Sequence, residues 1–577
     1  MSVAELDLDL GAAAAAPRSP KSAPGAEPAA RRERAIVLAG CLAVYLTIGA
    51  ILVFHYDSIA PDALSRVGNA SYVLFSRDPK IAAIGFVWTP LPSLVMLPFL
   101  PLKFLFPGLL RAGFLANIES AVCMALAAAL LHRSLEEWGV TRGTRLTLVA
   151  LFALNPMIIY YGANGMSEAM LVLFLVGSTR WLARWMKDNT TASLARAGGY
   201  LALAYLARYE ALAAGIAVTA LVAVVTWRRT TGDGHRRRTF AFADGALVAM
   251  PIAFAVGSFA VASWVIVGHP FETFSSRYGN SAQIATAAQG IAQVHGGTTF
   301  GAFWYLVRQL ALLAPGLMLV VPLVIVLTSR RQRSVLLAPI AVLGSVLAFQ
   351  ALVFAKGSSF GWLRFQITSI PMLVMLVGLA VTAPPRHRLD AVPDADGVGR
   401  GRLDRIRLGL KPALIGAVAL GVVTAPIAMR SVVLGREEHA QLLPVVQRAL
   451  GAAHPDPGTL HEFATEREVA SYLDRRHLPN GSVLADDALA FPVILASSRP
   501  KQFVITSDSD FETAVAYPPV NHVRYLLVSR DANGLDALSA QYPDLYENGA
   551  GIGHEVAEFD ADSPTARSWR LYEVDGA

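Results

Sequence analysis

The sequence predicts a polytopic α-helical membrane protein of about eleven transmembrane helices with a C-terminal α/β domain outside the membrane. Three observations predict it. The chain of 577 residues is 54% hydrophobic and only 16% charged, far from a soluble globular average. Its apolar runs, mostly of about twenty residues, alternate with short basic clusters. After Arg430 the long apolar runs stop, and charged helices alternate with short β-type stretches. A pI near 9.3 invites a nucleic-acid reading. The basic residues, however, sit between apolar runs where the positive-inside rule needs them, so nucleic acid is excluded as a partner. Cys41 and Cys123 both lie inside apolar runs, which argues against a disulfide framework or a Cys-rich metal site.

Residues 1–34 read as a disordered cytoplasmic tail, poor in hydrophobic side chains and broken by Pro17, Pro20, Pro24 and Pro28. Its last residues, Arg31, Arg32, Glu33 and Arg34, hold the N-terminus inside. The run Ala35 to Phe54 then spans and delivers His55 to the outer face, opening a first outer loop over 55–110. Within that loop, Leu91 to Leu110 holds Pro92, Pro98, Pro101, Pro107 and Lys103, which suits a broken hairpin lying in the interface.

Further spans are expected at Gly113 to Leu131, Leu146 to Tyr161 and Ala169 to Trp185. The stretch Leu194 to Trp227 is too long for one span and has basic flanks on both sides. It should turn back near Arg208, Tyr209 and Glu210. Phe242 to Val267, Phe300 to Thr328, Val335 to Phe354, Gln366 to Thr382 and Pro412 to Met429 complete a membrane domain over 35–429. The plasma membrane is the expected location, with residues 430–577 extracytoplasmic.

That last region predicts helices at Glu437 to Leu450 and Glu466 to His477, and strands at Ser482 to Ala485, Phe503 to Thr506, Tyr525 to Ser529 and Trp569 to Val574. No Gly-rich phosphate fingerprint follows a strand, so no nucleotide is assigned. Asp486 and Asp487 at a strand end read either as ligands for a metal or sugar or as a solvated turn.

Polar residues of four segments are expected to meet at the outer face. In the first loop a carboxylate could act as general base on a hydroxyl, with Asp62 and Asp57 competing for the role. The plainer reading makes either one a helix start, since Pro61-Asp62 is a good one. The second segment ends in Asn164-Gly165-Met166-Ser167-Glu168. Its turn could present backbone NH groups to a ligand, or Ser167 and Glu168 could simply cap a span. The third is Arg208-Tyr209-Glu210 and the fourth surrounds Arg364. A charge at membrane depth costs about 2.5 to 3.5 kcal/mol, so unneeded ones should be rare. Arg208 and Glu210 are too close along a helix to face each other, so each should have its own partner. Arg208 and Arg364 are candidate phosphate ligands, against the alternative of snorkelling side chains. Arg277 and Lys80 are further candidates, and Trp88 and His269 on the outer loops complete a substrate-binding set.

These features together meet a family. An aspartate in the first outer loop, a Pro-containing juxtamembrane stretch, Arg111 at the next span, and Asn155-Pro156 followed by a polar turn and Glu168 come in order. With Arg364 among aromatic residues before a Pro-bearing span, the pattern resembles the GT-C membrane glycosyltransferases. The nearest branch is that of the protein O-mannosyltransferases and aminoarabinose transferases. The resemblance covers Arg34 to Thr382 and is carried by order and topology rather than by an invariant string.

It implies transfer of a sugar, with inversion, from a polyprenyl-phosphate carrier to an envelope polysaccharide, glycolipid or protein on the outer face. It further implies Asp62 as the base. The chain departs from the family in having no acidic pair at Asp62, and Thr89-Pro-Leu-Pro where a His- or Lys-Pro-Pro-Leu string is usual. No cofactor is fixed; a divalent metal, magnesium or manganese, stays open. Two other classes also account for the spans: a transporter or flippase of lipid-linked sugar, and a non-catalytic envelope-assembly scaffold. A transporter would leave the large outer domain unexplained and calls for an inverted repeat, which the sequence does not show.

Overall fold

The computed structural model describes residues 26–327, 330–382, 397–452, 460–530, 536–561 and 566–576. Among these, seven helices are long and apolar enough to cross a membrane, and nine segments if each of two sharply bent pairs is one span. The protein is a multi-pass membrane protein. The remaining two expected spans are the helices Glu168–Asp188 and Thr191–Ala207. The first carries five charged residues and the second is only 17 residues long, so both fall short of a simple apolar span.

The first helix, α1, begins at Ala26 and runs as a candidate span over Pro28–His55, so the predicted tail ends nine residues too late. Alanine, arginine and glutamate favour helix, and ion pairs fix the extension: Glu33 lies 2.8 Å from Arg145, and Arg34 pairs with Glu136. Residues 1–25 lie outside the described residues, as do 383–396 of the predicted basic loop, and helix resumes at Gly397.

Both bent spans break where the sequence demands it. The helices Arg142–Ala153 and Pro156–Ala163 meet at 60°, where Asn155 accepts from the Met157 NH at 3.0 Å and restarts the helix ahead of Pro156. Thr299–Leu313 and Leu317–Val324 meet at 78° across Pro315 and Gly316. The Leu91 to Leu110 stretch is a chain of short α and 3-10 turns, as its prolines predict. Phe104, Leu105 and Phe106 there stay exposed.

The α/β domain forms one five-stranded sheet in the order β2-β1-β3-β5-β4. Its strands are β1 Val483–Leu484, β2 Phe503–Val504, β3 Tyr525–Ser529, β4 Gly553–Phe559 and β5 Trp569–Val574. The first three pair in parallel and β4 and β5 antiparallel. Strand β4 escapes the sequence reading because its His554, Glu555 and Glu558 give it a polar, exposed face at the sheet edge.

A single apolar core runs from the membrane helices into this domain. The seam is made by helix α2, Pro61–Phe75, lying against Asp487–Ala496, with Gly68 close to Phe491. Arg77 completes it by pairing with Asp508 at 3.1 Å and with Asp510. Asp486 is not in a solvated turn: it is buried, caps Ala488 at 2.9 Å and accepts from Tyr278 at 2.5 Å.

Candidate active site

Helix α2 builds the first wall. Ala60 is extended, Pro61 sets the first helical φ and Asp62 lies in the first turn, where an acid complements the helix dipole. No side chain caps this helix, and the Asp62 carboxylate turns instead to a partner across the cavity. One turn on, Arg66 projects from the same face. Both line one cavity.

The opposite wall comes from the turn before the span Leu363–Ala380. Arg364, 3% exposed, places Nη1 3.2 Å from Asp62 Oδ2. Its Nε lies 3.5 Å from Glu168 Oε1 and 3.1 Å from Glu437 Oε2. Its guanidinium sits 4.2 Å from the Trp362 ring centroid, and Trp362 stacks on Phe360 at 4.3 Å. Those aromatic faces keep water from the charge and strengthen each contact it makes.

Arg208 forms the third side. The chain is extended at Arg208 between two helices, with φ −158° and ψ 128°. Its Nε therefore reaches Glu210 at 2.5 Å, while Nη1 reaches Glu168 at 2.7 Å and Ser167 at 3.3 Å. The expected absence of an Arg208–Glu210 pair is thus corrected: the spacing rule holds on a helix, and these residues are not on one. Glu168 is 1% exposed and ties Arg208 to Arg364 from below.

The other expected residues divide. Trp88, Tyr209 and Glu210 line the same cavity as Asp62, Arg208 and Arg364. Asn164 is buried, with Oδ1 bonded to the Met166 NH at 3.1 Å, and Gly165 NH bonds Ser120 Oγ at 3.0 Å. These turn NH groups are therefore satisfied within the protein and do not face a ligand. Gly165, at φ +81°, is required there, since a Cβ would meet Ala63 and Ala116 at 2.9 Å.

Asp57 lies in a separate pocket, bound to His461 at 2.9 Å and to Arg467, because its left-handed backbone turns it toward the α/β domain. Lys80 pairs with Asp78 at 2.8 Å, and Arg277 and His269 are exposed outside the cavity lining.

Residues beyond the sequence reading join the site. Helix α3, Arg436–Ala449, begins with Glu437 and Glu438, which look like ordinary first-turn acids. Glu437 meets Arg364, and Glu438 accepts from the Tyr161 hydroxyl at 2.6 Å. Arg66, 9% exposed, keeps a buried Nη1 with no hydrogen-bond partner among the described residues. Its i,i+4 spacing from Asp62 was the available signal.

Burial alone would raise the Asp62 carboxyl, but Arg364, Arg66 and Arg208 outweigh it and hold the group below its ordinary value. Burial pushes Glu437 up to about 8 against the pull of Arg364, with Glu438 adding to the rise. A divalent ion fits poorly: Arg364 already occupies the place between Asp62, Glu168 and Glu437. Among the described residues no group of three or more His, Cys, Asp or Glu side chains is arranged to hold a metal.

No family model matches the sequence and no curated protein matches it. Solved structures do. The crystal structure of ArnT from Cupriavidus metallidurans bound to undecaprenyl phosphate aligns over 92% of this chain and 97% of its own, at TM-score 0.51 and 13% identity. An Archaeoglobus fulgidus oligosaccharyltransferase tethered with an acceptor peptide aligns over 86% of this chain and 69% of its own, at TM-score 0.42 and 11% identity. The first likeness shows that the chain shares the fold of that ArnT structure.

Proposed function

We propose that the chain is a membrane glycosyltransferase that moves a sugar from a polyprenyl-phosphate carrier to an envelope acceptor, with the α/β domain extracytoplasmic. One observation carries the reading. A half-exposed carboxylate, Asp62, shares one cavity with three guanidiniums, Arg66, Arg208 and Arg364, in a protein of the GT-C fold. The undecaprenyl phosphate bound in the ArnT structure supports the same class of lipid.

The chemistry follows from the charges. The acceptor hydroxyl gives its proton to Asp62 as its oxygen bonds to the anomeric carbon. The bond from that carbon to the phosphate oxygen breaks on the opposite face, which inverts the centre. Polyprenyl phosphate leaves with the electron pair, so it needs positive charge rather than a proton. Arg208 and Arg364 are already engaged by carboxylates. The unpaired Nη1 of Arg66 is therefore the first contact for the phosphate, with the other two guanidiniums adding field in a water-poor cavity. Tyr209, Trp88 and Trp362 offer faces for the sugar ring. This reading routes no step through a metal.

The test is release of polyprenyl phosphate by the purified protein from a panel of polyprenyl-phosphate sugars, for wild type and Asp62→Asn. Release that vanishes in the mutant supports the transferase. Equal lipid binding by both proteins, with no donor turned over, favours the carrier or scaffold class.

A further inference from the structure

We infer that the chain carries a second anion site, separate from the Asp62 cavity, which takes the phosphate headgroup of a membrane lipid between α1, α2 and the α/β domain. It is a shallow surface pocket lined by Val53, Asp57, Ser58, Leu64, Arg111 and Arg467, among others. Val53 belongs to the last turns of α1 and Leu64 to α2, and Arg467 comes from α4, Ala464–Arg475, in the α/β domain.

Helix α2 is the partition between the two sites. Asp62 and Arg66 lie one turn apart and face the first cavity. Leu64, two residues from Asp62 and so about 200° round the helix, lines the second. A ligand in one therefore does not touch the other.

The charge balance of the second pocket favours an anion. Its acid, Asp57, is held by His461 at 2.9 Å and by Arg467. Holding it there requires a left-handed backbone at a non-glycine residue, φ +49°, which the surrounding contacts must maintain. Arg448 adds a further cation 3.4 Å from His461. That leaves Arg111, an exposed arginine with no ion pair among the described residues, on the pocket wall. Lys103 lies near enough that, after burial, the Arg111 charge lowers its amine further. One carboxylate thus stands against an excess of positive charge.

The setting makes the anion a lipid's. The pocket opens at the end of a membrane span, and Gly108 of the preceding turn lies close to Phe54 of α1. Phe104, Leu105 and Phe106, 76%, 71% and 64% exposed, directly precede the Arg111 turn. Apolar side chains flanking basic ones at a span end are the arrangement that seats in the acyl boundary with cations at headgroup level.

The inference does not rest on glycosyl transfer and can be tested without it. Full-length protein in detergent would be titrated with phosphatidylglycerol and followed by native mass spectrometry, with phosphatidylcholine as the control lipid. Arg111→Glu should weaken phosphatidylglycerol retention about tenfold or more, Arg467→Gln should weaken it too, and Arg111→Lys should retain it. Arg277→Ala, at an exposed arginine outside both pockets, should leave it unchanged. Unchanged retention in folded Arg111→Glu, or an equal loss in Arg277→Ala, would overturn the site. Displacement by millimolar inorganic phosphate would show that the pocket takes the free ion rather than a lipid. If Arg111→Glu does not fold, Arg467→Gln and Arg111→Lys decide.

Discussion

Arg364 holds Asp62 at 3.2 Å on one side and Glu168 at 3.5 Å on the other, so the guanidinium joins the exposed carboxylate of the cavity to the buried one beneath it. The two acids consequently have different work. Asp62 faces open space, with 47% of its side chain exposed, whereas Glu168 serves only arginines. Mutations should separate the two.

Asp62→Asn is close in shape and keeps an acceptor for Arg364, but it removes the base. Turnover should fall by about 10² to 10⁴, while donor binding and Tm change little. Polyprenyl-phosphate release, measured beside a thermal melt, checks both halves. A parallel loss of Tm would mean that Asp62 is structural.

Glu168→Ala should be the reverse. It strands the buried guanidiniums of Arg208 and Arg364, and removing one partner of such a pair costs about 3 to 5 kcal/mol. The melt should drop clearly even in the absence of substrate, and the conservative Glu168→Gln should recover part of it.

Arg66→Ala removes the guanidinium whose Nη1 has no protein partner. A charge-assisted contact to phosphate is worth about 1.5 to 3 kcal/mol, so donor affinity should weaken by roughly ten- to a hundredfold. Arg66→Lys should restore part of it. An unchanged donor KM in Arg66→Ala would move the phosphate elsewhere in the cavity.

Glu437, with its carboxyl raised to about 8, is neutral at pH 7 and ionises as pH rises through that value. The new negative charge lies 3.1 Å from Arg364 and repels an anionic donor. Donor KM should therefore climb above pH 8 in wild type and stay flat in Glu437→Gln. The sign is the same for stability. A raised carboxyl favours the folded state fully below its ordinary value, and that contribution is lost as pH rises toward 8.

The sequence by itself determined the membrane class, the order of the apolar segments and where in the chain the α/β fold begins, because hydropathy acts locally along the chain. It also marked Asp62, Arg208, Glu210, Tyr209, Trp88 and Arg364, all of which meet in one cavity. Tertiary structure alone decided the pairing. Arg208 bonds Glu210 because the helix breaks there, and Glu168 is withdrawn beneath two arginines. Asp57 turns toward the α/β domain, away from Asp62. Glu437 enters the site from a helix that reads as a plain amphipathic surface element. The reason is physical: a buried charge is satisfied by whichever opposite charge the packing brings within about 4 Å. Those partners come from segments far apart in the chain, as 364 is from 62, so no local pattern encodes them.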